Sequence, residues 1–286
     1  MIGDSLSMGF YVSSVVSMLL RARTSARRNW VVDDRGIIDS VFERLSKRVP
    51  ITLYHFACVS ANVDPVTGSR LVDSIAGICH MSQQVNRILS LAQFPEVVML
   101  WIGHNNLDWV ESCEGVRTSK EHLKQRADEI VARYKIQLTR LVASAAKTPH
   151  PVRIVVFALV DFKKFFKARE QTERIKSNEP SRYPYLERDY KYFRSMLPQF
   201  RTGMIELAEM INDGLQSAVE NLVRDAKLPP TFRLVFSTAL READISRAEM
   251  LCEVDGWHPS TLGHCTLAAS VFPTISDLAD EIIEQR

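Results

Sequence analysis

The chain has 286 residues, of which 46% are hydrophobic and 24% charged, a globular composition long enough to bury a core without disulfide or metal support. Its net charge of +2 argues against a dedicated nucleic-acid binder. The five cysteines, Cys58, Cys79, Cys113, Cys252 and Cys265, are scattered with no CxxC spacing, so buried reduced thiols are expected rather than a zinc site or a disulfide framework.

Near the start stands GDSLS, Gly3 to Ser7, followed by an apolar stretch from Met8 to Leu20. That stretch contains Ser13, Ser14 and Ser17, lacks a basic leading region and is too short for a membrane span. On the sequence as it stands, the expected location is the cytoplasm, with no transmembrane segment. Asp39 or Ser40 can cap a short helix to Arg48, and Pro50 to Ala57 (PITLYHFA) reads as a strand. A long helical pattern covers Ser69 to Gln93. Glu96 to Ile102 (EVVMLWI) is the next strand. Ser119 to Lys147 places Leu123, Ile130, Tyr134, Leu138 and Leu141 at helical spacing. Val152 to Val160 (VRIVVFALV) and Phe232 to Ser237 (FRLVFS) are further strands, and a last helix follows Pro259, with Thr261 near its start, toward Ile283.

Near-continuous apolar strands alternating with helices imply a parallel sheet buried on both faces, a doubly wound α/β architecture. The chain reads as one domain over 1–286. The segment 161–201 departs from the alternation, with eleven Lys and Arg against six Asp and Glu, and nine of the 24 aromatic residues. It follows a strand, so it emerges at the carboxyl edge where open α/β sheets bind ligands. Two readings stand: an insertion packing its aromatics on the body, or a lid or substrate wall.

Three short stretches could carry chemistry. Ser5 is either a helix cap or a nucleophile, and a serine needs a base with an orienting partner. Asp255-Gly256-Trp257-His258-Pro259-Ser260 offers that pair, an acid three residues before a histidine; Pro259 can begin the following helix. Trp101-Ile102-Gly103-His104-Asn105-Asn106 follows a strand directly, where Gly103 permits a sharp exit and a side-chain amide can donate to a developing oxyanion.

Taken together and in order, these blocks resemble the SGNH hydrolase superfamily, the GDSL esterases and lipases. The third block reads GHNN where that family has Gly-x-Asn-Asp, so Asn106 replaces an acid. The second block is matched by Cys58-Val59-Ser60-Ala61, with Ala61 at the family's glycine. Ile102 to Cys113 is also similar to phospholipase-B-type members. The resemblance implies a three-layer, flavodoxin-like sandwich with about five parallel strands. It implies a serine esterase or lipase acting through an acyl-enzyme, with Ser5 as nucleophile, His258 as base and Asp255 orienting His258. The oxyanion hole would comprise the N–H groups of Ser5 and Ala61 and the side chain of Asn105. His104 is the rival base, and His104 and Trp257 are candidates for substrate contact. Asp4 is expected to hold the turn. The remaining histidines read as structural. No metal or cofactor is required. The expected substrate is a small-molecule, lipid or sugar ester, and nucleic acid is not an expected partner.

In that fold the nucleophile follows the first, central strand, and a strand needs about five residues. Only Met1 and Ile2 precede Gly3. The expectation is a truncated first strand and a missing N-terminal segment, which could have held a signal peptide; restoring upstream residues should then raise stability. Two further readings of the same site remain: an acyltransferase, and a catalytically degenerate binding protein. A nucleotide binder would need a Gly-rich phosphate loop, which GDSLSMG does not offer.

Overall fold

A computed structural model describes residues 1–4, 6, 29–33, 37–58, 61–63, 80–107, 119–184, 186 and 198–286. Ser5 and the stretch 7–28 therefore lie outside the described residues, as do residues 69–79 of the expected 69–93 helical pattern and part of 161–201. Among the described residues, four parallel strands form one sheet in sequential order: β1 (Ile2–Gly3), β2 (Val97–Trp101), β3 (Val152–Phe157) and β4 (Phe232–Ser237). Every residue of β3 is buried, as expected for a strand covered on both faces. The β2–β3 register pairs Val97 with Arg153 and Leu100 with Val156, while β3 pairs with β4 from Val152–Phe232 to Phe157–Ser237. Parallel neighbours require crossovers, supplied by α3 (Lys120–Ala145) between β2 and β3 and by α4 (Phe162–Asn178) and α5 (Pro198–Asp225) between β3 and β4. The result is the α/β sheet flanked by helices that the alternation predicts.

The helices gather in two groups. α3 packs on α5 and on α2 (Met81–Leu89), while α7 (Thr261–Glu284) packs on α1 (Val41–Ser46) and on α6 (Ala239–Glu242). α1, α3 and α7 begin at Ser40, Ser119 and Ser260, each accepting a backbone N–H through its hydroxyl. Such caps are worth about 1 kcal/mol each.

The first strand is short, and its neighbourhood differs from expectation. Residues 50–57 do not form a regular strand. They run beside β1 instead, with Met1 N donating to Tyr54 O at 2.8 Å, Phe56 N to Met1 O at 3.0 Å and Cys58 N to Gly3 O at 3.2 Å. This is a parallel-type ladder, and it puts this segment on the free side of β1 in a flavodoxin-like order. The regular pairing fails where β1 offers only two residues and the Gly3 N–H goes elsewhere. That N–H donates to Gln84 Oε1 at 2.8 Å, and Gln84 Nε2 donates back to Gly3 O at 2.9 Å. A buried side chain from α2 thus stands in for a neighbouring strand.

Smaller differences concern ends. The expected strand 152–160 stops at Phe157, after which Asn212 of α5 accepts from Leu159 N at 2.7 Å. The described helix within 69–93 is Met81–Leu89. Pro259 does not begin α7: it pairs in an isolated bridge with Leu251, and the helix starts at Thr261 after the Ser260 cap. α5 went unread in the sequence, although Met204, Leu207, Ala208, Ile211 and Leu215 are buried at helical spacing. Among the described residues, no helix is long and apolar enough to cross a membrane.

Candidate functional site

The site builds on three carboxyl-edge turns. The first follows β1. Gly3 is held on both backbone groups by Gln84, and Asp4, fully buried, accepts from Leu6 N through Oδ1 at 3.1 Å. The residues on either side of Ser5 are thereby fixed; Ser5 itself lies outside the described residues.

The second turn follows β2. Gly103 has φ +133°, which L side chains rarely adopt, and it lets the chain leave the strand sharply. His104 Nδ1 lies 2.9 Å from Asp4 Oδ2 with both side chains buried. Asp4 therefore ties the turn after β1 to the Asn105 turn, one carboxylate oxygen to each. The His104 ring packs edge-on against Trp101, with centroids 4.8 Å apart. Its Nε2 has no hydrogen-bond partner among the described residues. The structure thus places His104 in a buried acid–histidine pair beneath the turn.

Asn105 Nδ2 donates to the Ala61 carbonyl at 2.9 Å, using one of its two amide hydrogens. The Ala61 N–H, the expected second-block donor, goes to Cys58 O at 3.2 Å. Ala61 thus acts here through its carbonyl, which aims the Asn105 amide. Asn106, where the resembling family has an acid, accepts from Val63 N through Oδ1 at 2.9 Å. A carboxylate oxygen would accept the same bond, whereas the buried Asn106 Nδ2 has no hydrogen-bond partner among the described residues.

The third turn precedes α7. Asp255 Oδ2 lies 2.6 Å from His258 Nδ1, while Oδ1 accepts from Trp257 N at 2.9 Å and His258 N at 3.1 Å. Asp255 is 2% exposed. A carboxylate only accepts, so Nδ1 carries the proton and the basic lone pair of the neutral ring is at Nε2. Gly256 makes the tight loop possible at φ +62°. A Cβ there would sit 2.9 Å from Leu186 Cδ1, 3.2 Å from Thr172 Oγ1 and 3.3 Å from Arg169 Nη1.

Those neighbours show how the described residues 162–178 of the basic, aromatic segment are placed. α4 buries Phe162, Phe165, Phe166, Arg169 and Thr172, a stripe at i, i+3, i+4, i+7 and i+10. Arg169 is fully buried and donates through Nη1 to the Asp255 carbonyl at 2.8 Å and through Nη2 to the Leu186 carbonyl at 3.4 Å. Phe165 stacks edge-on against Trp257, with centroids 4.6 Å apart. Phe162 lies 6.3 Å from both the Trp257 and the His104 rings, bridging the second and third turns.

Nearby titratable groups are held neutral. Burial, then the Asp255 carboxylate, pushes the Cys252 thiol up to about 12, so it is no competing nucleophile near neutral pH. His264 is fully buried, with neither ring nitrogen hydrogen-bonded among the described residues. Burial, then repulsion from protonated His258, holds its pKa down to about 3. No cluster of His, Cys, Asp or Glu suited to a metal ion occurs among the described residues.

The structure thus brings together Asp4, Ala61, His104 and Asn105 on one side and Asp255, Trp257 and His258 on the other, with the neighbours of Ser5 between. Sequence reasoning missed Gln84 and Arg169. Each is a polar residue on an otherwise apolar helix stripe, Gln84 beside Met81, Val85 and Ile88, and that misplacement was the available signal. In comparisons with known proteins, the profile described as GDSL-like lipase/acylhydrolase matches residues 1–271. No curated protein matches the chain.

Proposed function

The chain belongs to the GDSL-like lipase/acylhydrolase family, within the SGNH hydrolase superfamily, and on that premise of a hydrolase we propose that it is a serine-dependent carboxylic ester hydrolase. Ser5 attacks the ester carbonyl as His258 Nε2 takes its proton. The tetrahedral intermediate collapses to an acyl-enzyme when His258 delivers that proton to the leaving alcohol. Water then attacks the acyl-enzyme with His258 again as base. Asp255 holds the imidazole in the required tautomer and stabilises the imidazolium. The second Asn105 amide hydrogen stabilises the oxyanion, together with the Ser5 N–H, while the Ala61 N–H is held by Cys58 O. Such a donor contributes about 10² to 10³ in rate.

The observation that carries this reading is the Asp255–His258 bond at 2.6 Å, with the same carboxylate locked by two backbone N–H groups. His104 has an acid partner too, Asp4. That pair is buried at both ends, which suits it to holding two turns together rather than to shuttling protons. Hydrolysis of p-nitrophenyl esters by the wild type and by Ser5→Ala, His258→Ala and His104→Ala tests the assignment. Loss in the first two by about 10³-fold or more is expected. An inactive His104→Ala beside an active His258→Ala would overturn the triad.

A further inference from the structure

A small cavity of ≈ 20 Å³ lies beside Trp257 and Pro259, the residues on either side of His258, and every described residue lining it is apolar. Its wall includes Leu6, next after Ser5, and Trp257 and Pro259, which flank His258, together with Phe162, Phe165 and Ile245. It therefore touches the neighbours of both the nucleophile and the base. Space of roughly 10–15 Å³ on this measure holds one water-sized group, so this cavity takes about one or two carbons.

Resting on the esterase reading above, we infer that this cavity is the acyl pocket and that it selects esters of acetyl-sized to propionyl-sized acids, excluding long-chain and phospholipid esters. The wall is pinned, which is why size decides. Lys164 Nζ donates to the carbonyls of Arg241, Glu242 and Ala243 at 3.2, 2.8 and 3.4 Å. Gln171 Nε2 donates to Ser246 O at 3.1 Å, and its Oε1 accepts from Ala248 N at 3.0 Å. Arg169 anchors the next part of the helix to Asp255 O. Moving α4 outward to admit a longer chain would break these bonds together. The segment 162–178 is then a substrate wall and not a lid.

The test is kcat/KM across p-nitrophenyl acetate, propionate, butyrate, hexanoate and octanoate, with Ser5→Ala as the blank. One methylene too many in an apolar pocket costs roughly tenfold or more, so a fall of at least tenfold from propionate to butyrate is expected in the wild type. Ile245→Ala should raise the hexanoate-to-acetate ratio at least tenfold. Ile245→Phe, which fills the space, should lower the propionate-to-acetate ratio by a similar factor. Circular dichroism and thermal melts establish that each variant is folded. Serine-dependent hydrolysis with a flat chain-length profile overturns the pocket and leaves the esterase standing, as does a folded Ile245→Ala with the wild-type profile. A folded wild type that hydrolyses no ester and takes no fluorophosphonate label overturns both.

Discussion

Replacing Asp255 by Asn is expected to leave the fold in place and remove most of the activity. The side chain has three partners: Trp257 N and His258 N on Oδ1, and His258 Nδ1 on Oδ2. An asparagine has one acceptor oxygen and one donor nitrogen. With the oxygen toward the two backbone N–H groups, both keep their bonds and the amide nitrogen faces the ring. The opposite orientation points the amide nitrogen at two buried N–H donors, at about 1–3 kcal/mol for each group left unsatisfied. The first orientation therefore wins. It makes Nδ1 an acceptor, so the ring proton moves to Nε2 and that nitrogen cannot take a proton from Ser5. Such a tautomer reversal costs about 10⁴ in kcat in a serine triad, or about 5 kcal/mol of barrier at 1.36 kcal/mol per tenfold. Stability should fall by only about 1 kcal/mol, since the bonds are re-formed without the charge. Steady-state hydrolysis of p-nitrophenyl acetate measures the first quantity and urea denaturation the second. Nitrogen chemical shifts of the His258 ring report the tautomer. A folded Asp255→Asn enzyme retaining more than a tenth of wild-type kcat would refute the orientation argument and the role given to Asp255.

Three further outcomes follow from the same neighbourhood. Gly256→Ala should destabilise the protein by about 2–4 kcal/mol, combining a left-handed backbone with a Cβ 2.9 Å from Leu186; a urea midpoint shift equivalent to under 0.5 kcal/mol would contradict this. Arg169→Met keeps the aliphatic packing but removes the donors to Asp255 O and Leu186 O, so kcat should drop about tenfold with little change in KM, and Arg169→Lys should recover part of it; equal kcat in Met and wild type would sink the positioning role. Stability should also depend on pH through His264. Its pKa is about 3 folded against 6.5 when unperturbed, so below 6.5 the unfolded chain binds a proton that the folded one refuses. Stability is therefore full above pH 6.5 and is lost as pH falls toward 3, by up to about 1.4 kcal/mol per unit. Unfolding free energies measured between pH 4 and 7 should lose part of that slope in His264→Phe, and an unchanged slope would exclude the histidine as its source.

Much of the architecture was legible because it follows from local physics. The runs at 97–101, 152–157 and 232–237 are apolar enough to read as strands, and serines at 40 and 119 mark helix starts where they precede a periodic stripe, whereas the Ser260 cap was not read. The acid–histidine pair of Asp255 and His258 was legible for a similar reason. Three residues apart in a Gly-containing loop, the two cannot separate far. What the sequence by itself could not decide were contacts between distant segments. The Gln84 amide standing in for a strand beside Gly3 joins residues 81 apart, and the Asp4–His104 bond joins residues 100 apart. The commitment of the Ala61 N–H to Cys58, and of the Ala61 carbonyl to Asn105, needed the tertiary arrangement as well. So did the basic, aromatic segment after β3. Its composition suited a packed insertion and a lid or substrate wall alike, because composition says nothing about which face of a helix is held. Lys164, Arg169 and Gln171 bind backbone groups at 241–243, 255 and 246–248. That alignment of α4 against a partner some eighty residues away in sequence exists only once the chain has folded.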